Sequence, residues 1–364
     1  MGVGTMGSQA LWQLATRGCD VTGYEQYNLA HTQGAAGGET RLFRTIQVED
    51  SGYVPIAKRA DEIYRQLEKE SGKRIRDLTG ALIMGSSSSG DMKSAIDASN
   101  ANPDGTELFS RKESKKKFPE YELDKDDISI LDKGGGIIYS ENAIRQATGL
   151  AVSSGAKLRE GTVVQALEET SRGVKVVSTE GIEQYDSVVV TTGAWMAQIV
   201  PEVQDWIRPR RLVSMWFSPK KERKLSSMLP YLRVRPTYSY GLPSPDGKSM
   251  KLGLETSEVD EVKFPQGNEY IVPDSIYEEF SRLIESYHPA LSHGPKKVQS
   301  YYESYTPTEY EYIGPHPESN KILIASGFSG HGFKFSPAIG EIISDLIVKG
   351  ETEHNIEFIT KIQS

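Results

Sequence analysis

Apolar side chains recur every three or four residues in several stretches of the chain, which is the spacing that gives a helix one apolar face. In the first stretch Leu11, Leu14 and Ala15 follow this spacing, and Gly18 is suited to end the helix because glycine readily adopts a left-handed conformation. The pattern predicts helices within residues 8–17, 56–67, 140–150, 276–284 and 339–347, the third with Ser140 as its N-cap.

Short runs of β-branched and aromatic residues lie between these helices. They predict strands at 20–24, 80–84 and 321–325, several short strands from 156 to 190, and antiparallel strands across 209–257 with a turn at 245–247. Alternation of helix and strand is thus confined to the two ends of the chain, and the middle is antiparallel. This order indicates an α/β (α+β) fold into which a second structure is inserted.

Glycines open the chain in the order Gly2-Val3-Gly4-Thr5-Met6-Gly7, a G-x-G-x-x-G pattern directly before the first predicted helix. Such glycines let a helix N-terminus approach a pyrophosphate, and an acid about 20 residues further on bonds the ribose hydroxyls. Glu25 lies 23 residues after Gly2, at the end of the predicted strand 20–24. This order of loop, helix, strand and acid favours a dinucleotide site over a plain glycine turn.

The two α/β ends are therefore predicted to form a discontinuous Rossmann-like domain from residues 1–80, 136–208 and 305–364, with an inserted antiparallel-sheet substrate domain from 81–135 and 209–304. A dinucleotide-binding unit also has a strand before its glycines, and here Met1 alone precedes Gly2. We expect that the reading frame opens about 8–10 residues too late or was cut, that the first strand is missing, and that cofactor binding and stability are weakened.

Composition excludes several classes of function. The chain has 37% hydrophobic and 25% charged residues, as globular proteins do, and its net charge of −8 argues against a nucleic-acid partner. Its apolar runs are shorter than the roughly 18–20 residues of a membrane span. The single cysteine, Cys19, excludes an internal disulfide and fits a reducing cytoplasm. We predict a cytoplasmic protein without a metal site.

The loop 31–44 combines small residues with two arginines. Its glycines and alanines let backbone N–H groups approach a ligand, and Arg41 and Arg44 share a face of a helix or turn. The alternative is a surface loop whose arginines are solvated.

Two later stretches also carry charged groups. Strand spacing places Lys251 and Glu255 on one face, which equally suits a surface ion pair. The run 327–336 is a tight turn with His331 and Lys334, where the histidine could equally be structural. From the residues alone we predict a dinucleotide-binding oxidoreductase whose cofactor and substrate stay open; a nicotinamide-dependent dehydrogenase and a flavin-free, non-catalytic protein are the alternatives.

Taken together, these stretches resemble the monomeric sarcosine oxidase and N-methyltryptophan oxidase family of flavin amine oxidases, to which the bacterial fructosyl-amino-acid oxidases are similar. The similarity covers nearly the whole chain, and its most specific part is the decapeptide GFSGHGFKFS at 327–336. The other matching motifs are H-T-x-G…G-E-T-R-x-x-R (31–44), G-Y-V-P (52–55), L-E-K-E (67–70), T-G-A-W (192–195), Y-G-x-P-S (240–244) and K-L-G (251–253).

The resemblance implies FAD as the cofactor. The opening glycines would hold its pyrophosphate, Glu25 the adenosine ribose, and the stretch from Gly330 to Lys334 would border the isoalloxazine ring. The cofactor-binding residues implied are Gly2, Gly4, Thr5, Met6, Gly7, Glu25, Gln26, Ala35, Ala36, Thr40, Arg41, Val164, Thr192, Gly193, Trp195, Gly330, His331, Gly332, Phe333 and Lys334.

The resemblance also implies the reaction. Arg44 and Lys334 would clamp the substrate carboxylate, Lys251 would lie near flavin N5, and Tyr240 would line the pocket. A neutral secondary amine would deliver a hydride equivalent to the flavin, the imine would hydrolyse, and O2 would reoxidise the flavin to give hydrogen peroxide. We expect a monomer whose partners are a small-molecule amine and O2.

Two residues depart from the family pattern. Family members commonly attach FAD through a cysteine six residues before the proline of a Thr-Pro pair, and here that position is Tyr301, so we predict non-covalent FAD. Four residues after Lys251, where sarcosine and N-methyltryptophan oxidases have histidine, stands Glu255, as in the fructosyl-amine oxidases. We therefore expect a fructosyl-amino acid as the substrate, with sarcosine or another N-methyl amino acid as the alternative.

Overall fold

The computed structural model describes residues 1–220, 225, 228–234, 238–257, 260–265 and 270–360. Within them the chain alternates helices with five separate sheets, which confirms the mixed helix and sheet class. The helices are α1 Thr5–Thr16, α2 Tyr53–Ser71, α3 Gly90–Asn100, α4 Arg111–Lys117, α5 Ser140–Ser153, α6 Met196–Ile199, α7 Asp274–Tyr287 and α8 Ser336–Lys349. Every helix predicted from the apolar spacing is present.

Four small sheets surround the long helices. They are the parallel pair β1–β8, the sheet β12-β20-β19, the antiparallel meander β11-β10-β9 and the sheet β2-β7-β3. Their strands are β1 Thr22–Tyr24, β2 Thr40–Phe43, β3 Arg76–Asp77, β7 Gly136–Tyr139, β8 Lys157–Arg159, β9 Val164–Thr170, β10 Gly173–Ser178, β11 Gly181–Tyr185, β12 Val188–Val190, β19 Tyr312–His316 and β20 Ser319–Ser326.

The largest sheet has nine strands, in the order β17-β13-β16-β15-β14-β4-β6-β5, with β18 paired to β13. Its strands come from two stretches of the chain, 81–132 and 208–305: β4 Ala81–Ser86, β5 Thr106–Phe109, β6 Asp127–Asp132, β13 Arg208–Pro219, β14 Tyr231–Arg233, β15 Ser239–Pro243, β16 Met250–Leu254, β17 Asp260–Glu261 and β18 Leu291–Tyr305. The pairing is antiparallel except between β14 and β4, which are parallel. The predicted antiparallel middle is thus formed, apart from 221–224, 226–227 and 235–237, which lie outside the described residues.

The two largest of the four hydrophobic cores among the described residues hold these layers. Helices α1, α2, α5 and α8 bury their apolar faces against one another, with Trp12 and Tyr64 at the centre. A second core lies between the nine-stranded sheet and α7, whose Phe280 and Ile284 are buried. The predicted division of the chain into two domains, with its limits, remains a prediction.

Met1 and Gly2 lie between two of the small sheets. The Met1 ammonium donates to the carbonyl of Val189 at 2.7 Å, and the N–H of Thr191 donates to the carbonyl of Met1 at 3.0 Å. On the other side the N–H of Gly2 donates to the carbonyl of Tyr24 at 2.8 Å. These bonds join the ends of β1 and β12, which belong to different sheets.

The expected N-cap of α5 is wrong. Ser140 is the first residue of the helix, and Tyr139 is the residue before it. The Ser140 hydroxyl is turned away from the helix N-terminus because it donates to the carbonyl of Ala36 at 2.8 Å, which ties α5 to the loop 31–44. Among the described residues, no helix has both the length and the apolar character needed to cross a membrane.

Candidate functional site

A cavity of about 680 Å³ lies between the helical layers and the nine-stranded sheet. It is lined by nearly all residues that the sequence assigned to the site, including those at 2–6, 25–26, 35–36, 192–195, 240 and 330–334. Gly7, Thr40 and Lys251 lie behind its wall. The chain thus brings residues far apart in sequence to one enclosed space, of a size typical for a ligand site.

The glycines at the start of α1 leave a helix N-terminus open toward the cavity. Gly4 is the N-cap residue, no side chain in the described part of the chain caps the helix, and the first turn of α1 holds no acid. A Cβ on Gly4 would meet nothing within 4 Å, whereas a Cβ on Gly7 would lie 2.0 Å from the carbonyl oxygen of Gly2. Gly4 therefore leaves room for a ligand, and Gly7 is required for the turn to pack against α1.

Glu25 directly follows β1, with its carboxylate at the cavity wall. The side chain is 3% exposed and accepts backbone N–H bonds from Val3 at 3.0 Å and from Tyr27 at 2.9 Å. Burial raises its pKa, and these two bonds oppose the shift by stabilising the charged form. The carboxylate is fixed beside the glycine loop, as a ribose-binding acid must be.

These features fit the pyrophosphate and ribose of FAD. The uncapped N–H groups at the start of α1 and the open space at Gly4 suit a diphosphate, which carries charge that a helix N-terminus favours. The residues predicted for the other parts of the cofactor, Val164 and Gly193 among them, line the same cavity.

The loop 31–44 is organised by Arg41. Its guanidinium donates to the carbonyl oxygens of Ala35, Gly37 and Thr40, and it stacks over the ring of Tyr301 at 5.3 Å. Thr40 is buried and its carbonyl accepts from Arg41 and from Lys251, while its expected contact with the cofactor stays a prediction.

Aromatic rings form the wall opposite α1. Trp195 packs edge-on against Tyr27, His31 and Tyr302, with ring centroids 5.9, 6.3 and 5.9 Å away. Burial lowers the pKa of His31 to about 4, so the imidazole is neutral at physiological pH. This wall is uncharged and suits a flat, uncharged ring.

Two buried cations face the other end of the cavity. Arg44 and Lys334 are each 4% exposed, and both form ion pairs with Glu49, in the case of Lys334 at 3.3 Å. Arg44 also donates to the carbonyl of Ile46 at 2.7 Å, and Lys334 to that of His331 at 3.0 Å. The two residues predicted to clamp a substrate carboxylate thus lie together, and both are paired with a carboxylate of the chain itself.

Glu49 was missed by the sequence reasoning. Although burial alone would raise its pKa, the neighbouring charges of Arg44 and Lys334 lower it well below the usual range, so it is ionised. The signal available in the sequence was an acid five residues after Arg44, which is too common a spacing to single out.

Tyrosine hydroxyls form a small network near Arg41. The hydroxyl of Tyr301 lies 3.1 Å from that of Tyr240 and 3.1 Å from that of Ser214. The predicted pocket residue Tyr240 is therefore hydrogen-bonded to Tyr301, which occupies the position where family members commonly attach FAD. A tyrosine there offers an oxygen that is already hydrogen-bonded, and no thiol.

Lys251 is fully buried in β16. Its ammonium donates to the carbonyls of Gly38, at 2.9 Å, and Thr40. Burial is the main cause that lowers its pKa well below the usual value for lysine, and the nearby charge of Arg41 adds to the shift. It lies one layer behind the cavity wall, whereas Glu255, four residues later, is exposed at the cavity rim.

A second acid that the sequence reasoning missed is Glu303, on β18. It lines the cavity, and burial raises its pKa to about 7, against the opposing charge of Arg41. Strand alternation from Tyr301 could have indicated that it faces the same way.

The chain was compared with known proteins. A model of the family "FAD dependent oxidoreductase" (DAO) matches residues 1–346. Monomeric sarcosine oxidase of Bacillus sp. (strain B-0618) is 30% identical over 99% of this chain and 94% of the relative. The structure of NikD, described as an unusual amino acid oxidase essential for nikkomycin biosynthesis, has a TM-score of 0.85 at 19% identity and covers 99% of this chain and 95% of its own.

A fructosamine oxidase from Aspergillus fumigatus (Amadoriase II) has a TM-score of 0.80 at 19% identity, over 99% of this chain and 88% of its own. At such identities the solved structures show the shared fold alone, whereas the family model and the Bacillus relative extend over nearly the whole sequence. The site geometry and both matches agree: the chain belongs to the FAD dependent oxidoreductase (DAO) family and, within it, to the family of the monomeric sarcosine oxidases.

Proposed function

We propose that this protein is an FAD-dependent oxidase that acts on the C–N bond of N-substituted amino acids and uses O2 as the electron acceptor. One observation carries this proposal: two buried cations, Arg44 and Lys334, converge on a single carboxylate inside the cavity. Charge-assisted bonds of this kind orient a substrate as well as bind it. An amino acid that replaces the Glu49 carboxylate would be held by its own carboxylate, with its amine toward the middle of the cavity.

FAD, when bound, supplies the two-electron acceptor for the C–N bond and passes the electrons to O2, which yields hydrogen peroxide. The chain's own contributions are the clamp, the uncharged aromatic wall and the buried cation Lys251 behind the loop 31–44. We propose that FAD is held without a covalent bond, since Tyr301 presents a hydroxyl that is already bonded to Ser214 and Tyr240.

For the substrate we place an N-methyl amino acid of the sarcosine type first. The relative with 30% identity is named a sarcosine oxidase, whereas the fructosamine oxidase has 19% identity, so it supports the shared fold and no more. The comparisons therefore favour the alternative over the fructosyl-amino acid that Glu255 led us to expect.

A fructosyl-amino acid remains the second candidate. The observation in its favour is the position of Glu255, which is exposed at the rim of the cavity and could accept hydrogen bonds from sugar hydroxyls.

Peroxide release over a panel of amines tests the proposal. Purified protein with added FAD is supplied with sarcosine, N-methyltryptophan, fructosyl-valine, fructosyl-lysine and glycine. We expect the highest kcat/KM for an N-methyl amino acid; a preference for the fructosyl compounds would reverse the order of the two candidates. Absence of peroxide with every secondary amine would overturn the proposed function.

We also propose that the protein works as a monomer in the cytoplasm. The bacterial relative is named monomeric, and the single cysteine of this chain fits a reducing compartment. Light scattering of the FAD-loaded protein tests the first part.

A further inference from the structure

Glu303 is an acid inside the cavity that the clamp does not use. It lies on β18 directly opposite Arg210 of β13. Residues two apart on a strand share a face, so Glu303 points the same way as Tyr301 and Tyr305, and all three line the cavity. Its side chain is only partly buried because its exposed fraction opens into the cavity.

The neighbouring cations of Glu303 are engaged elsewhere. Arg41 gives its guanidinium to three carbonyls of the loop 31–44, and Arg210 pairs with Glu261 at 3.1 Å while it stacks over the ring of Tyr305. Within the described residues Glu303 forms no ion pair. The backbone N–H of Gly330, in the decapeptide turn, acts on the carboxylate in the direction that lowers its pKa.

The carboxylate of Glu303 faces two arginines without forming an ion pair with either among the described residues. The titratable and charged groups that face it are Arg41 from β2, Arg210 from β13, Tyr240 from β15, and Tyr301 and Tyr305 from its own strand. Burial raises its pKa to about 7, so at neutral pH it exchanges readily between the ionised and protonated forms. Groups with a pKa near the working pH are the effective acid–base catalysts.

The chemistry of an amine oxidase needs such a group. Alkylamines are protonated in neutral water, as the lysine side chain is, with a pKa of about 10.4, and an ammonium group has no lone pair to support oxidation of its C–N bond. An amino acid that enters with its carboxylate at Arg44 and Lys334 therefore brings a positive charge and a surplus proton into the cavity.

We propose that Glu303 receives the ammonium group of the substrate, binds it by a charge-assisted hydrogen bond and accepts its proton. The N–H bond of the ammonium breaks, the proton passes to a carboxylate oxygen of Glu303, and the electron pair stays on nitrogen as the lone pair of the neutral amine. This assignment rests on the proposed function, because it concerns the amine of that same substrate. It makes Glu303 a specificity-determining residue: the cavity selects ligands with both a carboxylate and a cationic amine.

Two ligands with the same carboxylate test the assignment: one has a protonated dimethylamine and the other a methyl ether at the same position. N,N-Dimethylglycine has the carboxylate and a protonated amine, and methoxyacetate has the same carboxylate with an ether oxygen and no proton to give. Their dissociation constants are measured from the change in the visible flavin spectrum at pH 8, where Glu303 is ionised. Both ligands place the same carboxylate at Arg44 and Lys334. The contribution of this carboxylate therefore cancels in the ratio of the two dissociation constants, and the ratio reports on the amine.

We expect Glu303→Gln to weaken dimethylglycine roughly tenfold to hundredfold, as expected for loss of a hydrogen bond to a charged group, and to leave methoxyacetate within about twofold. In the wild type the ratio should favour dimethylglycine more strongly as the pH rises through about 7, and in Glu303→Gln it should not change there. Glu309→Gln, an exposed glutamate on the cavity rim, is the matched control and should behave as the wild type.

Equal changes for both ligands, or no change for either, would overturn the assignment. A loss of dimethylglycine binding in Glu255→Gln in place of Glu303→Gln would also overturn it and give the role to Glu255. If the wild type oxidises a secondary amine and the ratio does not respond to Glu303→Gln, only this inference fails. If none of the tested amines gives peroxide with the wild type, the proposed function fails, and the assignment of Glu303 fails with it. Flavin content and melting temperature show whether each variant is folded.

Discussion

The ammonium of Lys334 lies 3.3 Å from a carboxylate oxygen of Glu49 inside the cavity. This pair, completed by Arg44, means that the protein keeps its carboxylate-binding cations neutralised by a carboxylate of its own. Two buried cations side by side would be costly without a counter-charge. The same arrangement implies that a substrate carboxylate must compete with Glu49.

Replacement of Lys334 tests the clamp. Loss of a charged hydrogen bond costs about 1.5–3 kcal/mol, so Lys334→Met should weaken methoxyacetate roughly tenfold to hundredfold in flavin spectral titrations. Since burial lowers the pKa of Lys334 to about 7, its charge is present below that pH and lost above it. Wild-type binding of methoxyacetate should therefore weaken as the pH rises through about 7, and this dependence should vanish in Lys334→Met.

The control for this change is Lys349→Met, at the exposed end of α8, where the lysine pairs with Asp345 at 3.0 Å. It should leave both the affinity and its pH dependence unaltered. A Lys334→Met protein that binds methoxyacetate as tightly as the wild type would contradict the clamp.

Removal of the internal carboxylate should have the opposite effect on affinity. In Glu49→Gln the cations Arg44 and Lys334 lose their ionised partner, so carboxylate ligands should bind about tenfold more tightly. The unliganded protein should melt at a lower temperature, because two buried positive charges are left unpaired. Saturating methoxyacetate should restore much of the loss in a thermal melt. Weaker ligand binding in Glu49→Gln would show instead that Glu49 supports the clamp.

The glycine turn gives a prediction about cofactor content. A Cβ on Gly7 would lie 2.0 Å from the carbonyl oxygen of Gly2, so Gly7→Ala must displace the turn at the start of α1. We expect purified Gly7→Ala to contain little FAD, as measured by its absorbance near ~450 nm. Gly149→Ala on α5 is the control, since its Cβ would meet nothing within 4 Å, and it should raise helix stability by about 0.5–1 kcal/mol.

Lys251 allows a test of the reaction with O2. A buried cation that acts on developing negative charge is worth roughly 10²–10³ in rate, so Lys251→Met should slow reoxidation of the reduced flavin by that factor and change reduction by substrate much less. Stopped-flow mixing of anaerobically reduced protein with O2 separates the two halves of the reaction. Lys297→Met is the matched control. The ammonium groups of Lys251 and Lys297 lie 5.9 Å and 4.4 Å from the centroid of the Trp216 ring, but Lys297 is exposed. Equal slowing in both variants would remove the special role of Lys251.

The attachment of FAD can be settled by acid precipitation. Tyr301 has no thiol, and its hydroxyl is bonded to Ser214 and Tyr240. We expect trichloroacetic acid to release all the yellow colour into the supernatant, both from the wild type and from Tyr301→Phe. Flavin that stays with the washed, unfolded protein would show a covalent bond.

Much of this fold can be predicted from patterns of residues that are close in sequence. The apolar spacing of Ile339, Ile342 and Ile343 gives α8, and the order of glycine loop, helix, strand and Glu25 gives the cofactor site. These features depend on residues close in sequence, so a single sequence contains them. The N-cap of α5 was misjudged because Ser140 bonds to Ala36, more than a hundred residues away.

The parts of the site that were missed depend on distant contacts. Glu49 matters only because the fold carries Lys334 to it, and Glu303 only because β18 turns it into the cavity beside Gly330. The ammonium of Lys251 is bonded to the backbone carbonyls of Gly38 and Thr40, more than two hundred residues away along the chain. No spacing along the chain shows which charges will be neutralised by which partners.

Strand β18 runs without interruption from Leu291 to Tyr305 and belongs to the substrate-side sheet along its length. At its far end the N–H of Tyr302 donates to the carbonyl of Gln33 at 2.8 Å, so the loop 31–44 is bonded to the same strand. A hinge between the two halves of the molecule would have to bend this strand or break that bond. The loop 31–44 and the nine-stranded sheet, which form two sides of the cavity, are therefore tied to each other through β18.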